Sequence, residues 1–132
     1  MRRDFELPCF DVEFLDSMRW VWETVREGAA NWLLIHQFAV PPGYNHSAVT
    51  IALRIEPGYP DAQIDMAYFN PPLTRSDAQR INAADSTQAI GGKSFQRWSR
   101  HRTGNNPWRP GVDDASTHIA QVQHWLEREF TK

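Results

Sequence analysis

The stretch Gly43–Pro72, GYNHSAVTIALRIEPGYPDAQIDMAYFNPP, decides the fold. Within it, Val49, Ile51, Leu53 and Ile55 alternate with Thr50, Ala52, Arg54 and Glu56. That period of two is the mark of a strand with one buried face. Pro57 and Pro60 cannot donate to a ladder, so the strand ends at PGYP. Tyr59 is an aromatic with a polar tip, suited to folding back under that turn as a structural residue. A second strand-like run, IDMAYF (64–69), stops at Asn70-Pro71-Pro72.

Upstream lie the partners of this strand. Residues 1–10 read as an extended arm, and DVEFLDSM (11–18) as a short N-terminal helix. RWVWETVRE (19–27) is a strand with mixed faces, and Gly28-Ala29-Ala30-Asn31 connects it to the apolar strand NWLLIHQFAV (31–40). Pro41-Pro42-Gly43 ends that strand. The expectation is an α+β domain over 1–132: a four-stranded antiparallel meander, a short N-terminal helix and a C-terminal helix. The helix covers ASTHIAQVQHWLEREF, N-capped by Asp113 or Asp114, with Ile119, Val122, Trp125, Leu126 and Phe130 as its apolar stripe. Between sheet and helix, residues 73–107 read as a long loop region. One helical turn near Asp77–Ile81 interrupts it, and a basic, aromatic stretch follows from Lys93.

Bulk properties narrow the function classes. At 132 residues a single self-sufficient core is feasible. A net charge of -2 argues against general nucleic-acid binding. No apolar run is long enough to cross a bilayer and no signal-peptide core is visible, so the expected location is cytoplasmic. The single cysteine, Cys9, excludes an internal disulfide framework. His36, His46, His101, His118 and His124 fall at no metal-ligand spacing, and there is no Gly-rich phosphate loop. No metal or cofactor is expected.

Order and punctuation together resemble the ubiquitin-conjugating fold. The residues that carry the likeness are Tyr59-Pro60, the strand IDMAYF, Asn70-Pro71-Pro72, SFQRWSRHR, Trp108-Arg109-Pro110 and the helix from Asp114. The ordered string GYN…PGYPDA…DM…NPPL…WSRH…W-P-G more narrowly resembles a bacterial branch, prokaryotic family E of ubiquitin-conjugating-like proteins. The resemblance implies partners: a ubiquitin-like protein and an activating enzyme that hands over its C-terminus. It also implies a catalytic-loop cysteine and a His-Pro-Asn motif, and this chain has neither. Asn70 precedes Pro71 and lies early in the segment, and Cys9 sits ahead of the sheet. Ser99 is the residue nearest the expected nucleophile position.

A serine hydroxyl needs a base to become a useful nucleophile. His101, two residues on, shares a side with Ser99 in an extended loop, and histidine titrates near neutrality. Attack on a thioester would leave an oxyester on Ser99. Asn70, Asn105, Asn106 and Arg100 are the candidate oxyanion or positioning groups, and one oxyanion donor is worth roughly 10²–10³ in turnover. His101 could instead pair structurally with Asp113 or Asp114. Three readings follow. The first is a conjugating-type transferase with a serine nucleophile. The second is a catalytically inactive conjugating-fold scaffold that binds an activating enzyme or ubiquitin-like protein. The third, ranked last, is a small hydrolase using Ser99, His101 and Asp113.

Overall fold

The computed structural model describes residues 1–131. Its elements in chain order are α1 (Cys9–Ser17), β1 (Val21–Glu27), β2 (Ala30–Ala39), β3 (Ala48–Arg54), β4 (Ala67–Asn70), β5 (Ser86–Ile90), β6 (Lys93–Trp98) and α2 (Ala115–Arg128). A 3-10 turn over Glu129–Thr131 follows. All six strands form one antiparallel sheet in the order β1-β2-β3-β4-β6-β5.

The sheet therefore has six strands, not the expected four. The first four pair in chain order, as the meander reading requires. The correction lies in residues 73–107, where a hairpin replaces part of the expected loop. Ile90 pairs with Lys93 across Gly91 and Gly92, whose φ angles are +58° and +80°. A two-residue connection with both φ positive matches the strand twist and favours Gly-Gly, so this dipeptide was the turn signal. β5 hid from the periodicity because Ser86, Thr87, Gln88 and Ala89 are all exposed. An edge strand with no buried residue before Ile90 carries no alternation of apolar and polar side chains to read.

The sheet is buried on both faces. Leu33, Ile35, Ile51, Leu53, Phe69 and Trp98 share one cluster with Leu15 of α1 and Ile119, Val122 and Leu126 of α2. Val25, Trp32, Leu34, Ala52, Tyr68 and Phe95 form a second cluster. Ala52 is fully buried and Thr50 half-buried, so β3 hides more than the one face its alternation predicts. In β1, Thr24 is buried beside the N-terminal arm rather than exposed, because its amide donates to the Arg2 carbonyl at 3.1 Å.

α2 starts where a capping box places it. Asp114 accepts from the Thr117 amide at 3.2 Å, and Thr117 Oγ1 accepts from the Asp114 amide at 3.0 Å. Such a cap stabilises a helix by about 1 kcal/mol. Of the predicted stripe, Ile119, Val122 and Leu126 are buried, while Trp125 and Phe130 are only half-buried. Gly43 is required at its position: its φ is +109°, and a Cβ there would lie 2.6 Å from the Phe130 ring. Tyr44, next to it, donates to the Leu126 carbonyl at 2.6 Å and so ties the chain ahead of β3 to the end of α2.

Candidate active site

Trp98 ends β6 fully buried, its ring packed edge-on to Phe69 at 5.3 Å. Its indole N–H donates to the buried Gln96 side chain at 3.0 Å. The same amide holds both the N–H and the carbonyl of Leu73, at 2.9 and 3.0 Å. With Trp98 committed to the core, strand alternation turns Ser99 to the other side. The Ser99 amide donates to the Ala83 carbonyl at 2.9 Å, so the backbone at Ser99 is still tied to the chain leading into β5.

Arg100 fixes the next step. Its guanidinium donates to the Asn82 carbonyl at 2.9 Å and to Glu129 Oε1 at 3.4 Å, and lies over the Trp98 ring at 4.9 Å. These contacts make Arg100 an anchor for the backbone between Ser99 and His101. His101 follows with Nε2 3.2 Å from Ser99 Oγ. Its Nδ1 lies 3.1 Å from each carboxylate oxygen of Asp65. The bonds are mutually consistent when Nδ1–H donates to Asp65 and Nε2 accepts from the serine hydroxyl. A hydroxyl, an imidazole and a carboxylate in this order form the chain used for nucleophile activation.

Asp65 escaped the sequence reading. It sits inside IDMAYF, which reads as strand throughout, whereas β4 begins only at Ala67. Met66 has φ of +60°, and this kink lets the chain aim Asp65 at His101 while Ile64 stays fully buried. Buried His118 of α2 holds the kink by donating from Nε2 to the Met66 carbonyl at 2.8 Å. Burial pushes the His118 pKa down to about 4, so it stays neutral near pH 7 and serves as a strut. No spacing rule connects position 65 to 101, and only the β4–β6 pairing brings them together.

The remaining predicted residues fall elsewhere. Asn70 stands three residues past Ala67, the partner of Trp98, so at ~3.3 Å per residue it lies roughly 10 Å or more from Ser99. Its Nδ2 donates to the Ser94 carbonyl at 2.9 Å. Asn105 and Asn106 lie exposed on the turn closed by the Thr103–Asn106 bridge. His101 does not pair with Asp113 or Asp114. Asp113 accepts from the Arg109 amide at 2.7 Å and lies 3.7 Å from the Arg102 guanidinium. Asp114 caps α2. Cys9 is exposed in the first turn of α1. Among the described residues, no cluster of three or more His, Cys, Asp or Glu is placed to hold a metal ion. No described helix is long and apolar enough to cross a membrane.

The His101 side chain is 59% exposed and that of Asp65 34%, so the relay opens outward rather than into a closed substrate pocket. A cleft of about 120 Å³ adjoins it, walled by Arg100, His101, Trp125 and Arg128. An exposed hydroxyl–imidazole–carboxylate chain of this kind is reachable by a large partner that itself excludes water on docking. The model of prokaryotic E2 family E matches residues 7–129. The chain belongs to prokaryotic E2 family E. Membership points to a conjugating-enzyme-like role, which in general terms means dealing with an activating enzyme or a ubiquitin-like protein. No curated protein and no solved structure matches the chain. In this prokaryotic E2 family E chain the Ser99–His101 contact follows β6, and the one thiol lies in α1 ahead of the sheet.

Proposed function

We propose that this protein accepts the C-terminal acyl group of a ubiquitin-like protein on Ser99 and passes it to an acceptor. His101 takes the Ser99 proton on Nε2 as Oγ attacks the thioester carbonyl held by an activating enzyme. The tetrahedral intermediate collapses, the C–S bond breaks, and the departing thiolate takes the proton back from His101. An oxyester on Ser99 and a free thiol on the activating enzyme result. An acceptor amine then attacks the ester and restores the serine hydroxyl. Asp65 orients the imidazole and balances its charge while the proton is held. General-base assistance of this kind contributes roughly 10²–10⁴ in rate. The observation that carries the reading is the chain Ser99 Oγ, His101 Nε2 at 3.2 Å, His101 Nδ1 to Asp65 at 3.1 Å.

A second reading rests on Asn70. An amide nitrogen has two protons, and the one on Ser94 O leaves the other for an oxyanion. On that reading the acceptor is the exposed Ser94, and Ser99 is structural.

The two are separated by incubating the protein with an activating enzyme, its ubiquitin-like protein and ATP, then resolving covalent adducts by mass. Ser99→Ala should abolish an adduct that hydroxylamine cleaves, and Ser94→Ala should leave it. The reverse pattern transfers the chemistry to Ser94. Adduct in neither wild type nor variants, with binding retained, leaves the conjugating-fold scaffold.

A further inference from the structure

The sheet has two edges, and the chain treats them differently. The β1 edge is covered by the N-terminal arm. Arg3 bridges Thr24 in parallel, the Thr24 amide donates to the Arg2 carbonyl at 3.1 Å, and the Asp4 amide donates to the Thr24 carbonyl at 2.9 Å. The β5 edge has β6 on one side and no strand on the other among the described residues. Ser86, Thr87, Gln88 and Ala89 are exposed and uncharged. Lysine, proline and bulges are the usual means of blunting an edge, and β5 has no lysine or proline. An open edge offers N–H and C=O groups to an extended peptide, which here would take the Ala89 carbonyl over from the Gln88 side chain, its present donor at 3.1 Å.

Where β5 lies relative to Ser99 fixes what such a peptide must be. Ser86 pairs with Arg97, two residues before Ser99, while Ile90 pairs with Lys93 at the far end of the hairpin. A strand added antiparallel to β5 therefore brings its C-terminal end to the Ser86 end, beside the relay. A parallel strand would bring its N-terminus there, with nothing to transfer. Two strand spacings of ~4.8 Å separate the added strand from β6, so about three further extended residues reach Ser99. Small residues suit that crossing, because the backbone must leave the edge and pass Ala83, whose carbonyl holds the Ser99 amide.

The geometry points to β5 as the docking edge for the extended C-terminal tail of the acyl-donating ubiquitin-like protein, added antiparallel so that its terminal carbonyl meets Ser99. This rests on Ser99 as the acyl acceptor, but the binding step is non-covalent and can be tested without the chemistry. Backbone pairing would hold the tail along β5, and the tail's side-chain sequence would matter little beyond β propensity and small terminal residues.

The test titrates the full chain, wild type and Ser99→Ala, with the synthetic octapeptide Thr-Val-Thr-Val-Thr-Val-Gly-Gly and follows amide NMR shifts and hydrogen exchange. Shifts and new protection over Ser86–Ile90 are expected in both proteins, at peptide concentrations near ~1 mM, where a weak single-strand addition becomes visible. N-methylation of alternate peptide amides should weaken binding at least tenfold. A nitroxide at the peptide C-terminus should broaden Ser86 and Ser99, and one at its N-terminus should broaden Gly91. Four results overturn the proposal: shifts confined to other elements, indifference to N-methylation, reversed nitroxide polarity, or no binding at several millimolar. A β5-dependent dimer without peptide also overturns it, because a second copy would then cover the edge. Tail binding at β5 with an adduct persisting in Ser99→Ala would instead retain the edge and refute Ser99.

Discussion

The Tyr59 hydroxyl donates to Asp11 Oδ2 at 2.6 Å and accepts from the Ala115 amide at 2.8 Å. One phenol thus joins α1, the turn after β3 and the first residue of α2. Asp11 is buried, and burial raises its carboxyl pKa, with the Tyr59 bond pulling the other way. Tyr59→Phe removes the one hydroxyl that serves both helices and leaves Asp11 with the Ala115 amide at 3.3 Å. A loss of about 1–3 kcal/mol in denaturant unfolding is expected, the cost of stranding a buried polar group. An unchanged midpoint would show that the bond contributes nothing net.

His118 makes stability depend on pH. Its folded pKa of about 4 lies below the ordinary 6.5 because burial disfavours the imidazolium. The unfolded chain therefore binds the proton first as pH falls. The contribution is complete above pH ~6.5 and is lost on acidification toward pH ~4, on the order of 3 kcal/mol in all. Asp11, raised in the fold, works in the opposite sense, so the variant must be compared with wild type pH by pH. His118→Gln, which retains a donor for Met66, should flatten the unfolding free energy between pH 6.5 and 4. A wild-type slope in the variant would assign the acid sensitivity elsewhere.

The sequence resolved the parts of the fold that have a period or a punctuation mark. β3 was legible because it is central and bounded by PGYP, and α2 because its stripe and its acidic cap agree. β5 was not, since an exposed edge strand has no apolar face to betray it. β6 was hidden by composition: Arg97 and Lys93 flank Phe95 and Trp98, and the mixture resembles a basic loop. The contact between Ser99 and His101 was legible because they are close in sequence. Asp65 and His118 were not, because sheet pairing and helix packing put them there and no local spacing records it. The distance between Asn70 and Ser99 was illegible for the same reason, since the motif gives Asn70's order in the chain and not its end of the ladder.

Cys9 supplies a control. It is exposed on α1, on the far side of β1–β4 in chain order, and nothing in the relay involves it. Cys9→Ser should leave both the rate and the yield of adduct within experimental error of wild type. Loss of adduct from a still-folded Cys9→Ser protein would return the chemistry to the thiol.

Asp65 should act through His101 and not on the substrate. Asp65→Ala should slow adduct formation roughly tenfold or more, and Asp65→Glu, which keeps a carboxylate for Nδ1, should recover part of the rate. Asp65→Asn should retain orientation poorly, since an amide nitrogen facing Nδ1 favours the wrong tautomer. Equal slowing in Asp65→Ala and Asp65→Glu, with a lowered melting temperature in both, would make the residue structural only. The melting temperature separates the cases, because surface substitutions of this kind usually change stability by no more than about 0.5 kcal/mol.

The most direct test of the account is the bond itself, read in Ser99→Cys. Wild-type adduct should resist a thiol reductant and yield to hydroxylamine, as an oxyester does. Ser99→Cys should form an adduct that reductant now releases, because the thiolate at that position makes a thioester. An adduct on Ser99→Cys that keeps the wild-type resistance to reductant would contradict the claim, because the acyl group would then be held by another residue.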